Sequence, residues 1–311
     1  MPPNFWQKCK RLCPSRFSTL SIAIAGIAKN AGKTTTLNHI ISDFAARGVT
    51  LGLTSIGLDG EETDQVTATP KPRIYVPEGT VFATAEQLLT RRERGVNDIA
   101  KEILAVTDVM TPLGRVVVAR VLSGGNVMLA GPSIVPQIAP IMRILQDHGA
   151  AKIIIDGAVG RKSLAVPDVA QAVVLAAGAG LSKSMDAVIS ETKHTVDIFG
   201  LPAAGAHEES IYISGAVTDA KLDGLYHKHI VAKDPAKILI SPKALTKLRL
   251  SGGTLSVKTP INLAAITINP TSPYGTGFDA AQFLAKMQTA LPVPVFNIVD
   301  RPTIKCQPQN E

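Results

Sequence analysis

Lys33 and Thr34 follow Gly32 in the stretch "SIAIAGIAKNAGKTTTLNHII" (residues 21–41), between an apolar run and a segment of helical period. Residues of these types in this order suit the binding of a polyphosphate. A glycine-permissive turn between strand and helix aims main-chain N–H groups at one point, and the helix start adds its dipole. Lys33 supplies a full positive charge for the outer phosphates, and the Thr34 hydroxyl is a ligand for Mg²⁺. The candidate phosphate-binding residues are Gly26, Lys29, Asn30, Ala31, Gly32, Lys33, Thr34 and Thr35. One feature departs from G-x-x-x-x-G-K-[ST]: the first glycine would fall at Ile27, and Gly26 stands one residue early. The competing reading is a glycine-rich turn that binds nothing; the strong strand before it and helix after it favour the phosphate loop.

Further carboxylates and amides fall where such a loop needs them. "KIIIDG" is an apolar strand ending in Asp156, the pattern of a carboxylate that orders Mg²⁺ or its water. "LTSIGLDGEE" ends a second strand at Asp59, a candidate metal ligand or water-positioning group on the same rim, or a plain loop carboxylate. Lys33, Asp59 and Asp156 are the candidate catalytic residues, and Thr34, Asp59 and Asp156 the candidate metal ligands. Lys29 and Arg161 are cations within reach of a phosphate or of solvent. Asn269 ends the strand "AAITIN", where an amide reads a base edge or simply starts a loop. His227 and His229 form an H-x-H pair with no further patterned ligand, so a surface pair is favoured over a metal site.

These residues need a parallel sheet to bring them together. Continuous apolar runs at 19–26, 49–57, 151–157, 170–178, 263–270 and 293–300 read as buried strands. Helices are expected at 33–48, where Leu37, Ile40, Ile41 and Phe44 share a face, and at 135–149, 181–200 and 278–291. In the last of these, Phe278, Ala281, Leu284 and Met287 or Leu291 form the apolar side. A further helix is expected near "ATAEQLLTRRER", a strand at "NVMLAG", and a hairpin around Thr-Pro-Leu-Gly at 102–123. The expected fold class is α/β: a three-layer nucleotide-binding fold with a mostly parallel, doubly wound sheet, a β-hairpin extension and a small inserted α+β lobe. The expected boundaries are a basic tail at 1–18, the nucleotide-binding domain at 19–200 and 261–300, the lobe at 201–260 and a tail at 301–311.

The 311 residues are 45% apolar and 18% charged, a globular composition with material for a sizeable core. The net charge of +7 is uneven: the first eighteen residues hold Lys8, Lys10, Arg11 and Arg16 and no acid. The remainder lacks the interleaved basic and aromatic residues of a nucleic-acid face, so no nucleic-acid partner is expected. No apolar run reaches the ~20 residues of a membrane-spanning helix, and no secretory signal opens the chain, which gives a cytoplasmic expectation. Three cysteines (Cys9, Cys13 and Cys306) read as reduced thiols.

"GIAKNAGKTT", the Asp-Gly after the second strand, "IIIDGAVG", "AITINP" and "PVFNIV" together resemble the P-loop NTPase class that holds dethiobiotin synthetase, the septum-site ATPases and the MobB-like molybdopterin-guanine dinucleotide accessory proteins. The resemblance covers about 19–200 and 264–300. Two departures stand against it. The septum-site signature lysine, five residues before the loop lysine, is Ala28 here, with Lys29 one place later; and no small-molecule carboxylate or amine site of the synthetase kind is apparent. More narrowly, "GLTSIGLDGEETDQVTATPKPRIYVPEGT" resembles the non-MutS-like reactivase subunit of lysine 5,6-aminomutase and related ornithine aminomutases. That resemblance implies a chaperone-like protein that works with a MutS-like ATPase subunit. The pair would use nucleotide to release damaged cobalamin from an adenosylcobalamin-dependent aminomutase.

The cofactors expected are ATP and Mg²⁺, since Asn269-Pro270 lacks the Asn-Lys-x-Asp run that reads guanine. Three activities stay open on the sequence: a nucleotide switch hinged at the 59–77 loop, a small-molecule kinase or ligase, and a binding module with little hydrolysis.

Overall fold

In β1 (Leu20–Gly26) Ile22 and Ile24 alternate with Ala23 and Ala25, and all four are buried, so the strand must be covered on both sides. The computed structural model describes residues 20–57, 73–90, 99–157, 170–205, 209–275 and 277–299. The expected tails, the loop at 59–72 with Asp59, Arg161 and the three cysteines lie outside the described residues.

After β1 come α1 (Lys33–Ala45), β2 (Leu51–Ile56), β3 (Ile74–Val76), β4 (Val81–Ala85), α2 (Glu86–Thr90), β5 (Lys101–Thr111) and β6 (Gly114–Val121). Next are β7 (Gly125–Val127), α3 (Ile138–Asp147), β8 (Lys152–Gly157), β9 (Ala172–Gly178) and α4 (Met185–Phe199). Then follow β10 (Ser210–Tyr212), β11 (Val217–Thr218), β12 (His229–Ala232), β13 (Ile238–Leu239), α5 (Pro242–Leu250) and β14 (Thr254–Val257). β15 (Leu263–Asn269), α6 (Ala280–Ala290) and β16 (Val295–Asn297) end the described chain.

Nine strands form one sheet in the order β16-β15-β9-β1-β8-β2-β4-β6-β5. Pairings from β16 to β4 are parallel, and β6 and β5 add an antiparallel hairpin at one edge. Ile22, Ile24 and Ile154 pack on one face against Leu37, Ile40, Ile41 and Phe44 of α1. Ala23, Ala25, Ile153 and Ile155 turn to the other face, which α3, α4 and α6 cover. The result is a three-layer α/β fold. β8 and β9, consecutive along the chain, lie on opposite sides of β1, the arrangement that opens a crevice at the carboxyl ends of the strands, where β1 ends in Gly26.

Three elements differ in detail from the sequence expectation. Ala83, Thr84 and Ala85 belong to β4 and not to the following helix, because β4 is buried along its length between β2 and β6. Within "NVMLAG" only β7 pairs in a ladder, with β3; beyond it the Thr84 hydroxyl takes over, donating to Met128 O at 3.0 Å and accepting from Ala130 N at 2.9 Å. In α6 the core residues are Phe283 and Met287, with Phe278 edge-on to Phe283 at 5.1 Å between ring centroids; Met287 lies on the expected apolar side, whereas Ala281 is exposed and Phe283 is buried instead.

Between residues 201 and 260 the strands make small sheets of their own: β10-β12-β14, all parallel, and the pair β11-β13. Their apolar side chains join the cluster that includes Val188 and Val196 of α4. Polar ties reinforce this joint. His194 of α4 bonds Ile240 O at 2.9 Å through Nε2, and Arg249 of α5 meets Asp197 at 3.4 Å. The Asp219 carboxylate accepts from Ser241 N at 2.7 Å. Bonds from the Ser241 side chain and backbone, with the nearby His194, hold its pKa below the usual carboxylate value against a smaller opposing effect of burial.

Candidate functional site

The loop between β1 and α1 carries the main candidate residues, and its backbone has an unusual hand. Asn30 has φ 58° and Gly32 φ 94°, while Ala31 between them stays out of the left-handed region. Asparagine and glycine are the residues that tolerate this conformation. Backbone of alternating hand curves so that successive N–H groups converge on one side. Ile27, Ala28 and Ala31 bury their side chains in the core, while Lys29 is exposed. The Ile27 amide donates to Ala176 O at 3.1 Å, which continues the β1–β9 ladder one residue past the strand.

The carbonyls of the loop turn inward. A Cβ on Gly178 would stand 3.0 Å from Ala31 O, and one on Gly180 would stand 2.8 Å from Asn30 O. Gly178 and Gly180 therefore form two bare backbone rails at the end of β9 on which those carbonyls rest. Gly32 O accepts from Thr36 N at 2.9 Å and from Thr36 Oγ1 at 3.0 Å. With these three successive carbonyls accounted for on the protein side, trans peptide geometry turns the N–H groups of Ala31, Gly32 and Lys33 the opposite way.

Gly32 is the N-cap of α1, which has no side-chain cap and no acid in its first turn. In α4, α5 and α6 the side chains of Ser184, Ser241 and Asp279 accept from helix N–H groups instead. The stem of Lys33 lies back across Gly26: a Cβ there would stand 2.9 Å from Lys33 Cγ and 3.0 Å from Cδ. The early glycine thus gives the lysine room to return over its own loop. Thr34 and Thr35 are half-buried in the first turn of α1.

Asp156 is 2% exposed, and its Oδ1 accepts from Gly157 N at 2.9 Å. Two residues after Ile154, it points to the face that carries α1. Ile22 pairs with Ile154 and Ala23 with Ile155, so the continued register sets Asp156 beside Ile24, two residues before β1 ends at Gly26. Ser55 of β2 is its in-register neighbour on the other side and is fully buried. Carboxylate and hydroxyl oxygens such as Asp156 and Thr34 suit Mg²⁺, which commonly takes one or two protein ligands and completes its shell with phosphate and water. Among the described residues no group of three His, Cys, Asp or Glu is placed to hold a metal by itself. The His229 ring is engaged by the Thr254 and Ser256 hydroxyls, which weighs against a metal role for the H-x-H pair.

Asn269 also reaches the loop. A Cβ on Gly32 would stand 2.9 Å from Asn269 Cβ and 3.2 Å from its Nδ2. Its Oδ1 accepts from Thr271 N at 3.0 Å and Thr271 Oγ1 at 2.6 Å, and the backbone donor fixes which end of the amide is oxygen. The NH₂ end is thus the one turned toward Gly32. The sequence reading did not single out Gly178, Gly180, Thr36, Thr267 or Ser55. The local signals are the Gly-Ala-Gly that begins at the last residue of β9 and the third threonine after Lys33.

Asp59 and Arg161 lie outside the described residues. No helix among the described residues is long and apolar enough to cross a membrane. Comparison with protein-family models, curated proteins and solved structures returned no match.

Proposed function

We propose that this chain binds a magnesium–ATP complex at residues 26–35 and acts as a nucleotide switch. The observation that carries this reading is the inward turn of the Asn30, Ala31 and Gly32 carbonyls beneath an uncapped helix start, with Lys33 folded over Gly26. That arrangement supplies converging amides and one ammonium for a polyphosphate. In this reading Asp156 and Thr34 are the metal-side oxygen donors, Lys33 stabilises charge on the outer phosphates, and the Asn269 NH₂ donates to a base-edge acceptor. Bound magnesium would neutralise charge on the β- and γ-phosphates; the chain's own residues position and exclude water, with little covalent work.

The finer proposal is that the switch serves as a chaperone-like partner of a MutS-like subunit in reactivating an adenosylcobalamin-dependent lysine or ornithine aminomutase. Its support is the resemblance of the "GLTSIGLDGEETDQ" region, together with the position of β2 beside Asp156. A segment leaving β2 at that rim is suited to respond to the γ-phosphate.

Phosphate release measured with the chain alone, then with the aminomutase and its MutS-like subunit, tests both levels. Turnover that rises with those proteins supports the switch; turnover that rises only with small-molecule acceptors supports a kinase or ligase of the dethiobiotin synthetase type. Asp156→Asn should keep nucleotide binding and lose magnesium-dependent turnover by at least about tenfold. Unchanged magnesium dependence would remove Asp156 from the site.

A further inference from the structure

Thr36 and Thr267 are both fully buried, and their hydroxyl oxygens lie 2.7 Å apart although 231 positions separate them in sequence. Thr36 Oγ1 is also 3.0 Å from Gly32 O, and a carbonyl oxygen can only accept. A hydroxyl has one proton. If Thr36 donates it to Gly32 O, then Thr267 must donate to Thr36. The order is Thr267 to Thr36 to Gly32 O, a directed chain from β15 into the phosphate loop.

We infer that the Thr267–Thr36 pair is a positioning device for the loop: it holds the Gly32 carbonyl away from the crevice and fixes the loop to the strand that ends in Asn269. The inference rests on the phosphate-binding reading of the loop. Gly32, with φ 94° and no side chain, is the residue of this loop whose flanking peptides rotate most readily. Rotation of the peptide between Gly32 and Lys33 would swing a carbonyl oxygen toward the anion and withdraw the Lys33 amide. Two donors from Thr36 on the one carbonyl oppose that rotation, and Thr267 fixes the rotamer of the Thr36 hydroxyl. Asn269, two residues beyond Thr267 on the same strand face, itself abuts Gly32. The loop is therefore set by β15 at two points, and a ligand held at Asn269 and one held by the loop amides share a single mechanical unit.

The test uses the full chain as wild type, Thr36→Ser, Thr36→Val, Thr267→Val and the double valine variant. Affinities for magnesium–ATP and for inorganic tripolyphosphate are measured by calorimetry, with thermal melting as control. Each valine variant should bind both ligands about tenfold more weakly, the size of one lost hydrogen bond. The double variant should be no weaker than either single one, because both break the same chain. Thr36→Ser should stay within about twofold of wild type, since it keeps the hydroxyl. Hydrogen exchange of the Lys33 amide without ligand should quicken in Thr267→Val and not in Thr36→Ser, a readout that does not depend on binding. Valine variants with wild-type affinity and exchange overturn the positioning role and leave the phosphate site standing. Valine effects that multiply in the double variant also overturn it. Failure of the wild type to bind either ligand overturns the phosphate reading and this inference with it.

Discussion

The side chain of Lys33 lies across Gly26, so close that a methyl group on Gly26 would stand 2.9 Å from Lys33 Cγ. A side chain at position 26 would meet the returning lysine stem, which accounts for a glycine there.

Gly26→Ala should push the lysine stem aside and crowd the Ala28 carbonyl oxygen, which would stand 3.3 Å from the new methyl. Nucleotide affinity is expected to fall about tenfold, the loss of part of a charge-assisted contact, with a modest drop in the thermal midpoint. Calorimetry alongside a melting curve checks both. Wild-type affinity in this variant would mean that Lys33 does not use the path over Gly26.

Gly178→Ala and Gly180→Ala should behave differently, because the atoms they would meet are backbone oxygens of Asn269, Ala31 and Asn30 at 2.8–3.0 Å. Backbone there cannot move without tilting the loop. Each substitution is expected to destabilise the fold by about 1–3 kcal/mol, the cost of overpacking. It should also weaken nucleotide binding beyond what Gly26→Ala does. Denaturant titration gives the first quantity. A neutral effect on stability at both positions would mean that the loop does not rest on these rails.

The Asp219 carboxylate, bonded to Ser241, has its pKa held below the ordinary value of 3.8. A depressed carboxylate stabilises the fold above its unfolded pKa, and that contribution is lost as pH falls through the folded value. The tie between the β11 end and α5 should therefore weaken only below about pH 4. Asp219→Asn should lower the thermal midpoint modestly at neutral pH and flatten the acid side of its pH profile. An unaltered profile below pH 4 would show that this carboxylate does not anchor the segment.

Much of this architecture was legible in the sequence because it is local. The Ile–Ala alternation of β1, the helical spacing of Leu37, Ile40, Ile41 and Phe44, and the run that ends at Asp156 each report their own surroundings. In α6 Met287 lies on the expected side, but Phe283 is buried where Ala281 was expected, because several apolar side chains there fit either stripe and the packing of Phe283 against Phe278 decides between them. What the sequence did not reveal is the machinery that shapes the loop. Gly178, Gly180 and Thr267 act on Asn30, Ala31 and Thr36 across long stretches of chain, through parallel pairings of β9 with β1 and with β15. No periodicity or spacing encodes such contacts; they exist only after the sheet has formed.

Titration of magnesium–ATP into wild-type protein and into Lys33→Ala, with thermal melting of both, tests the polyphosphate site most directly. The wild type is expected to bind and the variant to bind at least about thirtyfold more weakly, as for loss of a buried charge-paired contact, while the two melt within a few degrees of each other. Equal affinity in the two proteins, or no binding by the wild type, would contradict a polyphosphate site built from the loop amides and this lysine.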